Sequence, residues 1–367
     1  MKIIHIIPSL NKGGAERFVV DLCNELAMIE SVEVILISLK DNLIGKSFIS
    51  EINSRVRYIS LAKKGGFELK VLLNLTRILK KEKPDVVNTH INAIEYININ
   101  LLQNSPPSKV FHTIHSKAQQ ECPYEVLRRM RKVYFKNEKV TPITISQDGK
   151  STYQQYYGLN NDHLIPNGRP YLKTTSELAE LQKLYPPNPA EYLLVNVGRV
   201  VDVKNQAMLV KSVQMFNEMH AEKKCRLLIV GDLRDQQVVS DLKRTVNGDP
   251  FIHLTGDKNN IADYLAIADA YCLSSHYEGM PISLIEAFSM GCIPICTSVG
   301  GIPEMITDGV NGFLSKSTTA QGFLDAINNY HTSDKRPEIR ENGQKTFVDK
   351  YHIGITAQRY YDLYHAS

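Results

Sequence analysis

The chain has no apolar stretch approaching a membrane span, no paired-cysteine motif, no large excess of one charge, and no internal repeat or low-complexity tract. The first absence excludes a bilayer-crossing helix, which takes roughly 20 apolar residues. The opening run from Met1 to Pro8 is too short for a signal peptide and reads as a first core strand. Cys23, Cys122, Cys225, Cys272, Cys292 and Cys296 show neither CxxC nor histidine-ligand spacing. Most lie in apolar patterns, so they read as reduced core thiols of a cytoplasmic protein rather than disulfides or zinc ligands. A net charge of +4 over 367 residues is too small to argue for nucleic acid, and no base-stacking aromatic motif accompanies the basic residues. There is no GxGxxG fingerprint, so a dinucleotide cofactor is not indicated.

What is present is a globular composition, 43% hydrophobic and 22% charged, in a chain long enough for two cores. Short β-rich runs alternate with helical patterns: Ile3 to Ile7, Val32 to Ser38, Val56 to Leu61, Val86 to Thr89, Val110 to Ile114 and Thr144 to Ile145. After a proline-bearing stretch the alternation restarts with Tyr192 to Val197, Arg226 to Val230, Phe251 to Leu254, Ala270 to Leu273 and Ile293 to Cys296. Such alternation predicts right-handed crossovers and parallel sheets, hence an α/β chain of two doubly wound, Rossmann-like domains. Pro166, Pro170, Pro186, Pro187 and Pro189 place the junction between Asn167 and Ala190, and a short helix is expected over Lys173 to Leu184. We set the domains at 1–168 and 169–351, with a final helix over 352–367, strongest from Ile355 to Tyr364, packing back on the first. In open parallel sheets ligands sit beyond the carboxyl ends of the strands, so two facing domains put the site in a cleft between them.

Two basic clusters mark the first half, around Lys63 to Lys83 and around Arg128 to Lys139. The second interleaves with Val126, Leu127, Met130, Val133, Tyr134 and Phe135. It suits a basic amphipathic helix on an anionic membrane surface, or, the slightly preferred reading, a solvated helix packing its apolar stripe on its own core.

The densest chemistry is Glu278-Gly279-Met280-Pro281-Ile282-Ser283-Leu284-Ile285-Glu286, with one carboxylate before a predicted helix and one on its second turn. Pro281 suits the first helical position and Gly291 the C-terminal glycine. The open N-terminus between the glutamates offers backbone N–H groups to an anion such as phosphate. Alone, the segment reads equally well as an amphipathic helix with solvated acids. Gly13-Gly14, after the first strand and just before a helix, permits close backbone approach and is a phosphate-loop candidate, with an ordinary tight turn the preferred reading when taken alone. Gly198 followed by Arg199 and Lys204 sets two cations at a strand end, suited to a diphosphate. His112 faces one side of its strand, while His115 stands at the carboxyl end and is the better site candidate.

Gly13-Gly14-Ala15-Glu16, His115, Pro166-Asn167-Gly168, Gly198-Arg199 with Lys204, Val230-Gly231, Glu278 to Glu286, and Gly300-Gly301-Ile302-Pro303-Glu304 occur in the order seen in one family. In this the chain resembles the family-four retaining glycosyltransferases of the GT-B fold, over nearly its whole length and most strongly from Ala268 to Leu314. The resemblance implies roles. Glu286 would accept from the ribose hydroxyls of a nucleotide sugar, and Glu278 would hold the transferred sugar. Amides of Gly13, Gly14, Gly279, Met280 and Ile282 would line phosphates and sugar around Pro281, which has no N–H to give, and Gly198 would belong to the same donor site. Arg199 and Lys204 would stabilise charge growing on the diphosphate. His115 would approach the sugar, His253 would lie near the base, and Lys12, Glu16 and Arg17 would face the acceptor.

A DxD motif near a strand end is also lacking, and the two cations can serve the diphosphate, so no metal and no other cofactor is expected. The function expected is a retaining transferase moving a hexose or N-acetylhexosamine from a nucleotide sugar, UDP-linked by preference. The acceptor would be a glycan or lipid-linked chain of a bacterial capsule, exopolysaccharide or lipopolysaccharide, met on the cytoplasmic face of the membrane. A sugar-nucleotide epimerase and a non-catalytic nucleotide-sugar-binding subunit are the competing readings.

Overall fold

The structure, a computed structural model, describes residues 1–41, 47–103 and 108–366; residue 367 of the expected final helix lies outside them. The chain divides into two compact units, one of the described residues from Met1 to Pro170 together with those from Tyr351 onward, the other of Tyr171–Lys350.

In the first unit β1 (Lys2–Ile7), β2 (Glu33–Lys40), β3 (Val56–Lys63), β4 (Val86–His90), β5 (Lys109–Ile114), β6 (Thr141–Thr144) and β7 (His163–Leu164) form one parallel sheet, ordered β3-β2-β1-β4-β5-β6-β7. In the second, β8 (Glu191–Val197), β9 (Lys224–Val230), β10 (Ile252–Gly256), β11 (Ala270–Leu273), β12 (Ile293–Thr297) and β13 (Phe313–Ser315) are ordered β10-β9-β8-β11-β12-β13. The central strands are buried on both faces, which is why they read as continuous apolar runs instead of alternating ones.

Sequence and structure part in a few places. The sixth strand runs from Thr141 rather than over Thr144 to Ile145, because Pro142 near its start is tolerated where the ladder begins. Strands β7 and β13, of two and three residues, are too short for periodicity to show. The junction helix is confined to Leu178–Leu184.

Each sheet reverses its order once, between β1 and β4 and between β8 and β11. At such switch points the loops leaving two neighbouring strands diverge and open a crevice beyond the carboxyl ends. The helix Gly14–Leu26 leaves β1 at the first of these and packs against the terminal helix Ile353–Ala366. Tyr360 and Tyr364 of that terminal helix are fully buried, against Phe18 (ring centroids 6.1 Å) and Phe111 (4.8 Å) respectively. Arg169 pins the return of the chain: its N–H donates to the Tyr351 carbonyl, and its guanidinium pairs with buried Asp21.

Candidate active site

In the second unit the β8/β11 crevice holds the groups singled out in the sequence. The loop leaving β8 carries Gly198, Arg199 and Lys204; the loop leaving β11 carries Glu278. Gly198 has φ +157° and its N–H donates to the Val230 carbonyl at 2.9 Å, while a Cβ on Gly231 would lie 1.9 Å from the Gly198 carbonyl oxygen. The two turns therefore pack backbone to backbone, an approach only glycine allows. Arg199 is exposed, and its carbonyl accepts from the Gln206 side chain at 3.0 Å. Lys204 turns back: its Nζ is 2.5 Å from Glu278 Oε1, and the same oxygen accepts from Ser275 Oγ at 2.5 Å.

Both partners of the ion pair are largely buried, with 20% and 10% of their side-chain surfaces exposed. The loops are also stitched by Ser274 Oγ donating to the Lys204 carbonyl at 2.8 Å and the His276 N–H donating to the Val203 carbonyl at 2.8 Å. The Glu278 carbonyl accepts from the Gly301 N–H at 3.1 Å, and a Cβ on Gly300 (φ +54°) would sit 1.8 Å from it. So the glycine pair after β12 is what lets the Glu278 loop close.

The helix that follows is Ile282–Ser289, with Pro281 as its N-cap (φ −71°, ψ 119°) rather than its first helical residue. The proline carbonyl already accepts from Leu284 and Ile285 N–H groups at 3.2 and 3.4 Å, and its extended ψ sets the turn into the helix. Glu286 lies on the second turn, 8% exposed, and Met280 is 6% exposed. Gly291, with φ +66°, follows the last helical turn as expected. The first-turn N–H groups, including Ile282, point toward the β11 loop end of the crevice by helix geometry.

In the first unit Gly13 caps the helix Gly14–Leu26, and the Glu16 carboxylate folds back over it. Lys12 is on the same β1 loop. Arg17 is committed internally: it pairs with Asp21 at 2.7 Å and with Glu51, and lies 4.6 Å over the Phe48 ring. Its guanidinium ties the first turn of this helix to Asp21 one turn on and to Glu51 at the end of the short helical turn Ile49–Glu51. His115 follows β5 with its ring edge-on to Phe18 of the β1 helix, centroids 5.8 Å apart. Its backbone N–H donates to Glu121 Oε2 at 2.9 Å, and its Nε2 lies 3.0 Å from His90 Nδ1. Burial pushes its imidazole down to about 4, so it is neutral at physiological pH.

His112 is fully buried, with Nε2 3.2 Å from Glu121 and Nδ1 2.9 Å from Thr89 Oγ1, the contacts of a structural histidine. His253 sits on the edge strand β10, two strands from the crevice, with Nε2 3.1 Å from Arg226 and its ring against Tyr185. The structure thus brings Lys204, Glu278, Gly198 and the glycine turn together, and keeps His253 apart from them.

Ser275 and Gly300 complete the Glu278 site. The Gly300-Gly301 pair was visible in the sequence, but no pattern marks a lone serine as the second donor to a carboxylate. Among the described residues no group of three or more His, Cys, Asp or Glu side chains is placed to hold a metal ion.

Comparison with known proteins agrees with this geometry. The profile "Glycosyltransferase Family 4" matches residues 12–170, and "Glycosyl transferases group 1" matches residues 179–346. The chain is 25% identical over 321 residues to the UDP-Gal:alpha-D-GlcNAc-diphosphoundecaprenol alpha-1,3-galactosyltransferase of Escherichia coli, covering 84% of this chain and 81% of that protein. It is 25% identical over 375 residues to the capsular polysaccharide biosynthesis glycosyltransferase CapH of Staphylococcus aureus, covering 99% and 98%. The crystal structure of Anabaena Alr3699/HepE in complex with UDP and glucose superposes with a TM-score of 0.82 over the whole of both chains at 16% identity. Two Rossmann-like units with this topology are the GT-B architecture of glycosyltransferases. The chain belongs to glycosyltransferase family 4.

Proposed function

We propose that this glycosyltransferase moves a hexose or N-acetylhexosamine from a UDP-sugar to a growing glycan or lipid-linked acceptor of a bacterial capsule, exopolysaccharide or lipopolysaccharide. In this reading anomeric configuration is retained and neither a metal nor another cofactor takes part. The observation that carries it is the meeting of Lys204, Ser275 and Glu278 at the β8/β11 switch point, beside a helix N-terminus. Support for the donor and pathway comes from the UDP-galactose named for the Escherichia coli relative, the capsule named for the Staphylococcus aureus one, and the UDP held by the Anabaena structure.

Glu286 accepts from the ribose hydroxyls and Glu278 from the sugar's. The amides of Gly13, Gly14, Gly279, Met280 and Ile282 line the phosphates and sugar, with Gly198 shaping the donor side, and His115 hydrogen-bonds to the transferred sugar. His253 is assigned to the base side, and Lys12, Glu16 and Arg17 to the acceptor side. Arg199 and Lys204 offset the charge that develops as the anomeric carbon–phosphate bond breaks. A retaining hydrolase needs a nucleophilic carboxylate about 5 Å from an acid. Glu278 is instead tied to Lys204 and Ser275, which suits holding a sugar better than attacking it. Front-face substitution follows: the acceptor oxygen bonds to the anomeric carbon on the side the phosphate leaves, and the acceptor proton passes to the departing phosphate oxygen. Trapping a glycosyl adduct on a side chain would overturn this route.

The protein is placed on the cytoplasmic face of the membrane in the same reading. Among the described residues no helix is long and apolar enough to cross a membrane. The helix Glu125–Lys136 does expose Val126, Arg129, Val133 and Lys136 along one flank while burying Arg131, Tyr134 and Phe135 on the other, a pattern suited to resting on an anionic surface.

The experiment is binding and turnover of a panel of UDP-, GDP- and ADP-sugars by the purified protein, with Glu286→Ala and Lys204→Ala alongside. One donor bound and slowly hydrolysed, with both variants impaired, is the expected result; no binding of any nucleotide sugar would overturn the assignment. Activity abolished by a chelator and restored by magnesium or manganese would overturn the metal-free part.

A further inference from the structure

Three histidines from neighbouring strands of the first unit form a continuous line. His5 Nδ1 lies 3.0 Å from His90 Nε2, and His90 Nδ1 lies 3.0 Å from His115 Nε2. The register explains it: His5 pairs with Asn88 across β1/β4, and His90 with Thr113 across β4/β5, so His5, Asn88, His90, Thr113 and His115 share one face. Asn88 Nδ2 is 3.1 Å from His90 Nε2 and 3.1 Å from Thr113 Oγ1. Among the described residues His115 Nδ1, His5 Nε2 and Asn88 Oδ1 are buried with no partner.

Proton counting gives this line a direction. With the amide as placed, both Asn88 N–H groups are used and one buried acceptor is left unmade. Turned over, the amide would leave two buried N–H groups unmade, the costlier arrangement. His90 Nε2 therefore faces the Asn88 N–H and must be bare. Burial keeps His90 and His115 neutral, each with one ring proton. The proton of His90 is then on Nδ1 and is donated to His115 Nε2, which leaves the proton of His115 on Nδ1.

We propose that Asn88 and His90 are positioning residues that lock His115 in its neutral Nδ1–H tautomer, making it a hydrogen-bond donor and not a base. The inference rests on the reading that His115 serves the transferred sugar, whose hydroxyl would supply the acceptor that the buried Nδ1–H lacks. Glu121 holds the same residue from behind, through its backbone N–H.

Nitrogen-15 NMR of histidine-labelled protein near neutral pH reads the tautomer directly. Wild type is expected to show His115 protonated at Nδ1 and bare at Nε2; an Nε2–H or doubly protonated ring overturns the proposal without any variant. His90→Phe keeps the ring shape but removes the donor, and is expected to move His115 toward the Nε2–H form and lower kcat about tenfold. His90→Asn sets an amide N–H where Nδ1–H was, and is expected to restore the tautomer and most of kcat. If both variants leave the tautomer as in wild type, His90 does not set it. His115→Ala separates the two levels: unchanged turnover beside an Nδ1–H signal in wild type would defeat the sugar role and leave the tautomer assignment standing.

Discussion

Removing the ammonium of Lys204 tests whether the cation at the β8/β11 crevice does chemistry or only props up a carboxylate. Its Nζ lies 2.5 Å from Glu278 Oε1, with 20% of its side chain and 10% of that of Glu278 exposed. Breaking a buried pair leaves one charge uncompensated, at about 3–5 kcal/mol. Here Ser275 still donates to the carboxylate and water reaches part of the pair, so we expect Lys204→Ala to lose about 2 kcal/mol of stability. In the second unit this lowers its unfolding midpoint by about 4–8 °C.

Catalysis is a separate reading. A cation that stabilises charge on a leaving diphosphate is worth about 3 kcal/mol, on the order of 100-fold in kcat/KM. Measured well below the midpoint, with activity normalised to folded protein, Lys204→Ala is expected to show that loss. Glu278→Gln supplies the control: if the lysine acts only through Glu278, adding Lys204→Ala to Glu278→Gln costs nothing more. A fall of less than about fivefold in the single variant, or no further loss in the double, would refute the catalytic role.

Gly300→Ala places a Cβ 1.8 Å from the Glu278 carbonyl oxygen at φ +54°; it should cost more than about 2 kcal/mol and weaken donor binding in calorimetry, whereas a variant that binds donor normally would show the turn to be pliable. His5 is pushed down to about 3 by burial, so the unfolded chain takes up a proton near pH 6.5 that the folded chain refuses. Its contribution is complete above that pH and falls on acidification, by about 2 kcal/mol at pH 5. His5→Leu should therefore lose less stability than wild type between pH 7 and 5, and an equal loss would contradict the assignment. Arg131→Met breaks the buried pair with Glu95 (2.5 Å) and should destabilise the first unit by about 3–5 kcal/mol. Arg129→Glu, on the exposed flank, should leave the melting curve alone and weaken sedimentation with anionic vesicles; unchanged sedimentation would remove the helix from the membrane reading.

The contrast between Arg129 and Arg131 shows where sequence stops being legible. Both sit in one basic run, and a charge pattern cannot say which faces inward. The structure answers through partners distant in sequence, Glu95 for Arg131, while Arg129 pairs with Glu125 at the surface. Arg17 carries the same lesson. The resemblance assigned it to the acceptor side, and nothing in its sequence neighbourhood announces the ion pairs it makes with Asp21 and Glu51. By contrast, most strands were readable because a parallel sheet buried on both faces leaves apolar runs, as in β2, buried over its six central residues, and the all-buried β12. The glycines were readable because a backbone approach as close as Gly231 on Gly198 admits no other residue.

The site followed a different logic from the fold. Residues that sit on one loop and the helix after it, such as Glu278 and Glu286, keep a fixed spacing and so leave a motif. Residues that act across strands leave none. Ser275 is recognisable only once its hydroxyl is seen beside Lys204 on Glu278, and His5, Asn88 and His90 only once strand register sets them in line behind His115. A motif therefore marks the groups at the ends of these strands, while the groups that fix their protonation and direction lie on neighbouring strands where spacing carries no signal. For His115 this makes the hidden partners the sharper test: a substitution at His90, one strand away, should change which nitrogen of His115 holds its proton while leaving the motif intact.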